Sequence, residues 1–111
     1  MADLLALSTR IVDSGIADVA VNRVNNELSE IAENLAMVES FSHSVVWDSG
    51  DGLVCFDASH ANTGEAVVNV MQQWRAQPIE AIVYTHGHSD HVGGSGPFAA
   101  RMAADGTLMA C

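Results

Sequence analysis

The stretch "THGHSDHVGG", Thr85 to Gly94, sets His86, His88, Asp90 and His91 within six positions. The whole chain of 111 residues has five histidines. The cluster follows directly on an apolar run, "IEAIVYT". Geometry decides what such a cluster can do. On an α-helix, residues i and i+2 point about 200° apart, so His86 and His88 would not meet. On an extended segment they point the same way. A strand leading into Thr85 makes the extended placement natural, and both imidazoles can then reach one ion. Asp90 and His91 follow after a single serine and can fold back in a turn to serve a second ion. Gly87, Gly93 and Gly94 suit a backbone that bends sharply and comes close to a ligand. Imidazole nitrogens with a carboxylate are the ligand set of zinc, and also of iron or manganese. The competing reading is a solvated polar loop, and the carboxylate, the preceding strand and the glycines argue against it.

Outward from the cluster, the pattern alternates. Residues 3–13 carry Leu4, Leu7 and Ile11 at helical spacing, with Gly15 as a stop. Residues 16–33 are ambiguous: "VAVNRV" fits a strand, "NNELSEIAEN" a helical turn or a loop. Three strands are expected near 35–40, 43–48 and 53–57, with Asp51-Gly52 as a hairpin signal. The third is nearly all apolar, as a strand buried on both faces should be. In "NTGEAVVNVMQQWRAQP", Val67, Val70, Met71 and Trp74 form one stripe of an amphipathic helix. Asn62 or Thr63 would cap it, Pro78 would end it, and Trp74 would join the core. "PFAARMAAD" reads as a helix stopped by Gly106, and "TLMAC" as the start of a further strand. Strands and helices in alternation imply an α/β layered fold.

Composition sets the limits. A chain of this length holds one small domain, and a hydrophobic fraction of 49% allows it a core. Net charge is −10, there is no lysine, and the four arginines are scattered. Nothing here would neutralise phosphates, so neither nucleic acid nor an anionic membrane surface is an expected partner. The acidity reads first as solubility, and second as a source of carboxylates that attract cations. Two cysteines, Cys55 and Cys111, make no disulfide framework; Cys55 reads as a small buried hydrophobe. "MADLLALSTR" has no basic start and no long apolar segment, and no run reaches membrane-spanning length. The expected location is cytoplasmic.

"HGHSDH" fits the His-X-His-X-Asp-His signature and so resembles the metallo-β-lactamase fold superfamily at all four ligand positions. The upstream "DSGDGLVCFDAS" is similar to that superfamily's hairpin, whose second strand ends in an aspartate. The resemblance covers roughly residues 28–111, after an N-terminal helical lead over 1–27. It implies an α/β fold, the N-terminal half of an αβ/βα sandwich: a mixed sheet with helices packed on one face. It further implies that His86 and His88 ligate one metal ion and Asp90 and His91 a second. Zinc is expected, with iron or manganese possible. Asp57 would orient the ligands without binding metal. The implied reaction is hydrolysis by a metal-activated water, and Asp90, able to hold or accept that water's proton, is the candidate catalytic residue.

The superfamily draws further ligands from later segments. After His91 this chain has no histidine, and its only side-chain carboxylate is Asp105. The chain is therefore expected to be part of a hydrolase, inactive or weak alone: a truncated gene, a fragment or one partner of a split assembly. His43 and His60 can approach the site if their loops lie at the same edge, and otherwise are ordinary loop histidines. The substrate would be a small ester-type molecule, and "YTHGHSDHVGG" with the long lead resembles the alkylsulfatase-like branch. The alternative is a non-catalytic metal-binding or interaction module that pairs with another chain or forms a homo-oligomer.

Overall fold

A computed structural model describes residues 2–20 and 23–110. Six strands form one sheet in the order β1-β2-β3-β4-β5-β6. They are β1 (Glu27–Ala32), β2 (Leu35–Glu39), β3 (Ser44–Asp48), β4 (Leu53–Phe56), β5 (Ile79–Tyr84) and β6 (Met102–Ala110). The first four pair antiparallel, and β4-β5 and β5-β6 pair parallel, so the sheet is mixed. Parallel neighbours need a crossover. Helix α2 (Gly64–Trp74) carries the chain from β4 to β5, and the short helices α3 (Ser89–Val92) and α4 (Ser95–Ala99) carry it from β5 to β6. Among the described residues no helix is long and apolar enough to cross a membrane.

Strand alternation divides the sheet into two unlike faces. Cross-strand partners Ala36, Val46, Cys55 and Ile82 form a row with no exposed surface. Val67, Val68 and Met71 of α2 and Phe98 of α4 are buried in the same core. Burial pushes the Cys55 thiol up to about 12, so it stays a neutral hydrophobe. The opposite face carries two further rows, Leu35-Trp47-Val54-Ala81 and Met37-Val45-Phe56-Val83, all apolar and all partly exposed. Strand β4 is therefore buried on one face, not both: Leu53 and Cys55 are covered while Val54 and Phe56 remain half-open. Helix α1 (Leu4–Ser14), capped by Asp3 and stopped by left-handed Gly15, lies beside this second face. Its stripe of Leu4, Leu7 and Ile11 lines a cleft with Met37 and His43.

Several sequence expectations are corrected by pairing. "NNELSEIAEN" supplies β1, because a two-residue turn at Glu33-Asn34, with Asn34 at φ 61°, returns the chain onto β2. Val19, Ala20, Arg23 and Val24 form no strand, and Val21 and Asn22 lie outside the described residues. The helix expected over 97–105 stops at Ala99, and β6 begins at Met102. Alanine favours helix, but propensity is a weak prior against tertiary context, and the open edge of β5 offers a full ladder instead. A step of two residues on β5, Ile79 to Ala81, spans five on β6, Met102 to Thr107, so the alanine segment is absorbed as an irregularity. Between β3 and β4 the positive φ falls at Gly50, not at Asp51-Gly52. Gly52 instead allows close approach: a Cβ there would stand 3.0 Å from Pro78 O. Thr63 occupies the N-cap position of α2, but its hydroxyl bonds to Ser59 and His60 O. That helix ends at Trp74, ahead of Pro78. Trp74 is half-buried against the core and donates its indole N–H to Glu30.

A buried ion pair fastens the N-terminal lead to the sheet. Glu39 is fully buried and accepts both arms of Arg23, at 2.8 and 2.7 Å. Burial pushes its carboxyl up; Arg23, Asn25 and His43 more than reverse this and hold it below the ordinary glutamate range. A lowered native value contributes stability above the ordinary glutamate pKa of about 4.3, and that stability is lost as pH falls through the native value. Arg23→Gln should lower the melting temperature at neutral pH, and the gap from the parent should narrow as pH falls through and below the ordinary glutamate range. A gap of constant size across that range would assign the pair no charge-dependent role.

Candidate metal centre

Parallel pairing puts the carboxyl ends of β4 and β5 side by side, where ligands gather in α/β sheets. Asp57 follows β4 directly and Thr85 follows β5 directly. Asp57 N donates to Val83 O, extending the ladder by one step, and Asp57 then turns at φ 63°. Its buried carboxylate meets the start of the histidine motif. Oδ1 accepts Thr85 N–H at 2.8 Å; Oδ2 accepts the Thr85 hydroxyl at 2.8 Å and faces His91 Nδ1 at 2.7 Å. Burial pushes the Asp57 carboxyl up, but the Thr85 amide, His91 and the Thr85 hydroxyl outweigh it and hold it below the usual carboxylate range.

The motif divides as its geometry requires. Residues 85–88 are non-helical, with His88 extended at φ −70°, ψ 147°. Asp90 and His91 lie on the single turn of α3. The ring centroids of His86 and His88 are 4.6 Å apart, and those of His86 and His91 are 3.9 Å apart. His91 Nε2 stands 3.5 Å from Asp90 Oδ2. The structure thus gathers His86, His88, Asp90, His91 and Asp57 at one sheet edge. His86 and His88 are solvent-exposed, so this is an open surface and not a closed pocket. Neither His43 nor His60 bonds to the motif: His43 Nδ1 accepts Ser40 N–H, and His60 Nδ1 accepts Asn62 N–H. Asp105 is exposed on β6.

Backbone contacts fix the platform under these side chains. Ala58 N donates to His91 O at 2.7 Å and Gly94 N to Ser59 O at 3.0 Å. A Cβ on Gly94 would collide with Ala58 O and stand 2.8 Å from Gly64 Cα; one on Gly64 would stand 2.6 Å from Gly94 O. Gly94 therefore serves close approach of α2 to the α3–α4 turn, and a Cβ on Gly93 would stand 3.1 Å from Ala61 N; both sit at ordinary negative φ. Gly87 differs, because a Cβ there would meet nothing within 4 Å.

Two participants escape the motif reading. Thr85 shows in the sequence only as the end of a strand, yet it touches both Asp57 and His86 Nδ1, the latter at 2.9 Å. Ser42, at φ 66° in the β2–β3 loop, rests 3.1 Å from both His91 ring nitrogens and so favours neither. Its approach depends on a loop conformation with no sequence signature.

The donors suit a divalent ion as part of its shell. Two donors each about 2.0–2.1 Å from a tetrahedral ion stand about 3.3 Å apart, near the Asp90–His91 separation. Among the described residues, no three His, Cys, Asp or Glu side chains are disposed to hold one ion together.

The profile described as "Metallo-beta-lactamase superfamily" matches residues 38–104, more than half of the chain. The chain belongs to the metallo-β-lactamase superfamily. Solved structures agree with the fold. The stereoselective inverting sec-alkylsulfatase Pisa1 from Pseudomonas sp. is 31% identical over 66% of this chain and 12% of its own, with a TM-score of 0.59. The Rm3 metallo-beta-lactamase is 19% identical over 77% of this chain and 32% of its own, TM-score 0.67. A B3 metallo-beta-lactamase with an active-site glutamic acid is 20% identical over 83% and 39%, TM-score 0.65. The chain thus spans well under half the length of these structures. No curated protein sequence matches it.

Gly94→Ala should destabilise the protein by more than the ~1 kcal/mol of an average substitution, while Gly87→Ala should stay within about 0.5 kcal/mol. Denaturant unfolding of both variants measures this. Equal effects would remove close backbone approach as the reason for the glycines.

Proposed function

We propose that this chain contributes part of a binuclear site of a metal-dependent hydrolase acting on a small ester-type molecule. The observation that carries the reading is the convergence of His86, His88, Asp90 and His91 at the carboxyl ends of β4 and β5, beside the buried Asp57 carboxylate. In this reading His86 and His88 hold one ion, and Asp90 and His91 a second. Zinc suits the imidazole and carboxylate donors, and iron or manganese would too. When bound, such an ion supplies hydroxide near neutral pH. Asp57 keeps His91 oriented through its 2.7 Å contact. Asp90, with a side chain 36% exposed, can hold or take up a proton at the open edge. The 31% identity to Pisa1 favours a sulfate ester as the substrate. Nucleic acid and anionic membranes stay outside the proposal, given the net charge of −10.

Two protein donors per ion leave coordination positions to solvent or to residues beyond these, so the chain alone should bind metal weakly and turn over slowly. Elemental analysis after zinc loading, beside a His86→Ala/His88→Ala control, tests the reading. Retained zinc that falls at least tenfold in the control supports it. Equal zinc in both proteins would sink it, and rapid ester hydrolysis abolished by His88→Ala would refute the expectation of slow turnover.

A second reading, an interaction module that pairs with another chain or a second copy, is favoured by the open rows Leu35-Trp47-Val54-Ala81 and Met37-Val45-Phe56-Val83. Contiguous exposed apolar surface of this kind marks contact sites. Sedimentation should show self-association that Phe56→Asp reduces. A strictly monomeric parent at high concentration would count against pairing between copies.

A further inference from the structure

Hydrogen-bond bookkeeping around Thr85 reaches beyond the orientation of His91. A threonine hydroxyl has one proton and two acceptor lone pairs. Thr85 Oγ1 gives its proton to Asp57 Oδ2 at 2.8 Å. It therefore has only lone pairs for His86 Nδ1, 2.9 Å away, and that nitrogen must be the donor. The same carboxylate oxygen faces His91 Nδ1 at 2.7 Å, and a carboxylate without a proton can only accept. In their neutral form both rings then carry the proton on Nδ1 and leave Nε2 without one, and the Ser42 hydroxyl, 3.1 Å from His91 Nε2, can donate to it. His88 has no comparable side-chain partner among the described residues, and its carbonyl accepts the amides of His91 and Val92 instead.

We propose that Thr85 is a positioning residue that relays the Asp57 carboxylate to His86, so that one buried acid sets the Nδ1–H tautomer of two histidines and leaves Nε2 of each as the acceptor. The inference rests on the reading of His86 and His91 as metal ligands for its purpose, though not for its geometry. Under that reading His86 and His91 serve different ions, and Asp57 and Thr85 couple the two halves of the site. An oxygen that both donates and accepts is needed at residue 85. Serine keeps that property, and valine keeps the shape without it.

The test uses the metal-free full chain and long-range proton–nitrogen correlation spectra of the imidazoles at about pH 8, above the ordinary histidine range. In the parent, His86 and His91 should both carry the proton on Nδ1. Thr85→Val should release His86 into a mixture of tautomers and leave His91 as it was. Asp57→Asn should disturb both rings, and Thr85→Ser should restore the parent spectrum. Zinc affinity, read by chelator competition, should fall about 10–100-fold in Thr85→Val and recover in Thr85→Ser. A parent His86 with its proton on Nε2 would overturn the relay, even if Thr85→Val failed to fold. So would a Thr85→Val protein with parental tautomers and parental zinc affinity. The expected tautomers in a parent that binds no zinc would leave the relay standing and bring down the hydrolase reading alone.

Discussion

The carboxylate of Asp57 is the point on which the site depends. It is buried, it is charged, and it receives donors from the end of β5 and from α3. A buried charge without partners is costly, so these donors are strongly held. Removing one leaves the acid underbonded, which is worse than never having had it. The constraint also works in reverse. Two segments far apart in sequence, the end of β4 and the motif after β5, are held together because a single side chain takes hydrogen bonds from Thr85 and His91. Parallel pairing of β4 and β5 makes this possible, since both strands end at the same edge.

Beneath the acid the structure is backbone against backbone. Gly64 opens α2 where the chain of Gly94 passes, and neither position has room for a side chain. The amide of Ala58 reaches the carbonyl of His91 across the same junction. The helix that covers the core and the turn that carries Asp90 and His91 are therefore one unit. Val67, Val68 and Met71 of that helix are buried in the core.

Much of this was legible in the residues. The spacing of His86, His88, Asp90 and His91 pointed to one edge because an extended step followed by a turn is the arrangement that brings them together. Strands β2 to β5 and helix α2 followed from periodicity. The misreadings share a cause. In residues 97–105 the alanines favour helix and in 25–34 the polar residues favour neither state, and in both the neighbouring strand overrides local preference. The two-sided burial expected of β4 also failed, because an apolar run does not say how many faces are covered. Thr85 and Ser42 were invisible as site residues because their roles arise from hydrogen-bond geometry and a positive φ, which no pattern of residue types encodes.

The open apolar face has a consequence for how copies of this chain behave together. Two rows of side chains that attract one another sit on a molecule whose net charge of −10 pushes its copies apart. The attraction acts at contact, whereas the repulsion acts across a screening length of about 10 Å at 0.1 M salt and shrinks as salt is added. Acid neutralises the same carboxylates. Colloidal behaviour is thus set by a balance in which the fold supplies the short-range term and the solvent tunes the long-range one. Low salt at neutral pH strengthens the repulsion, and salt or acid moves the same unchanged fold toward contact.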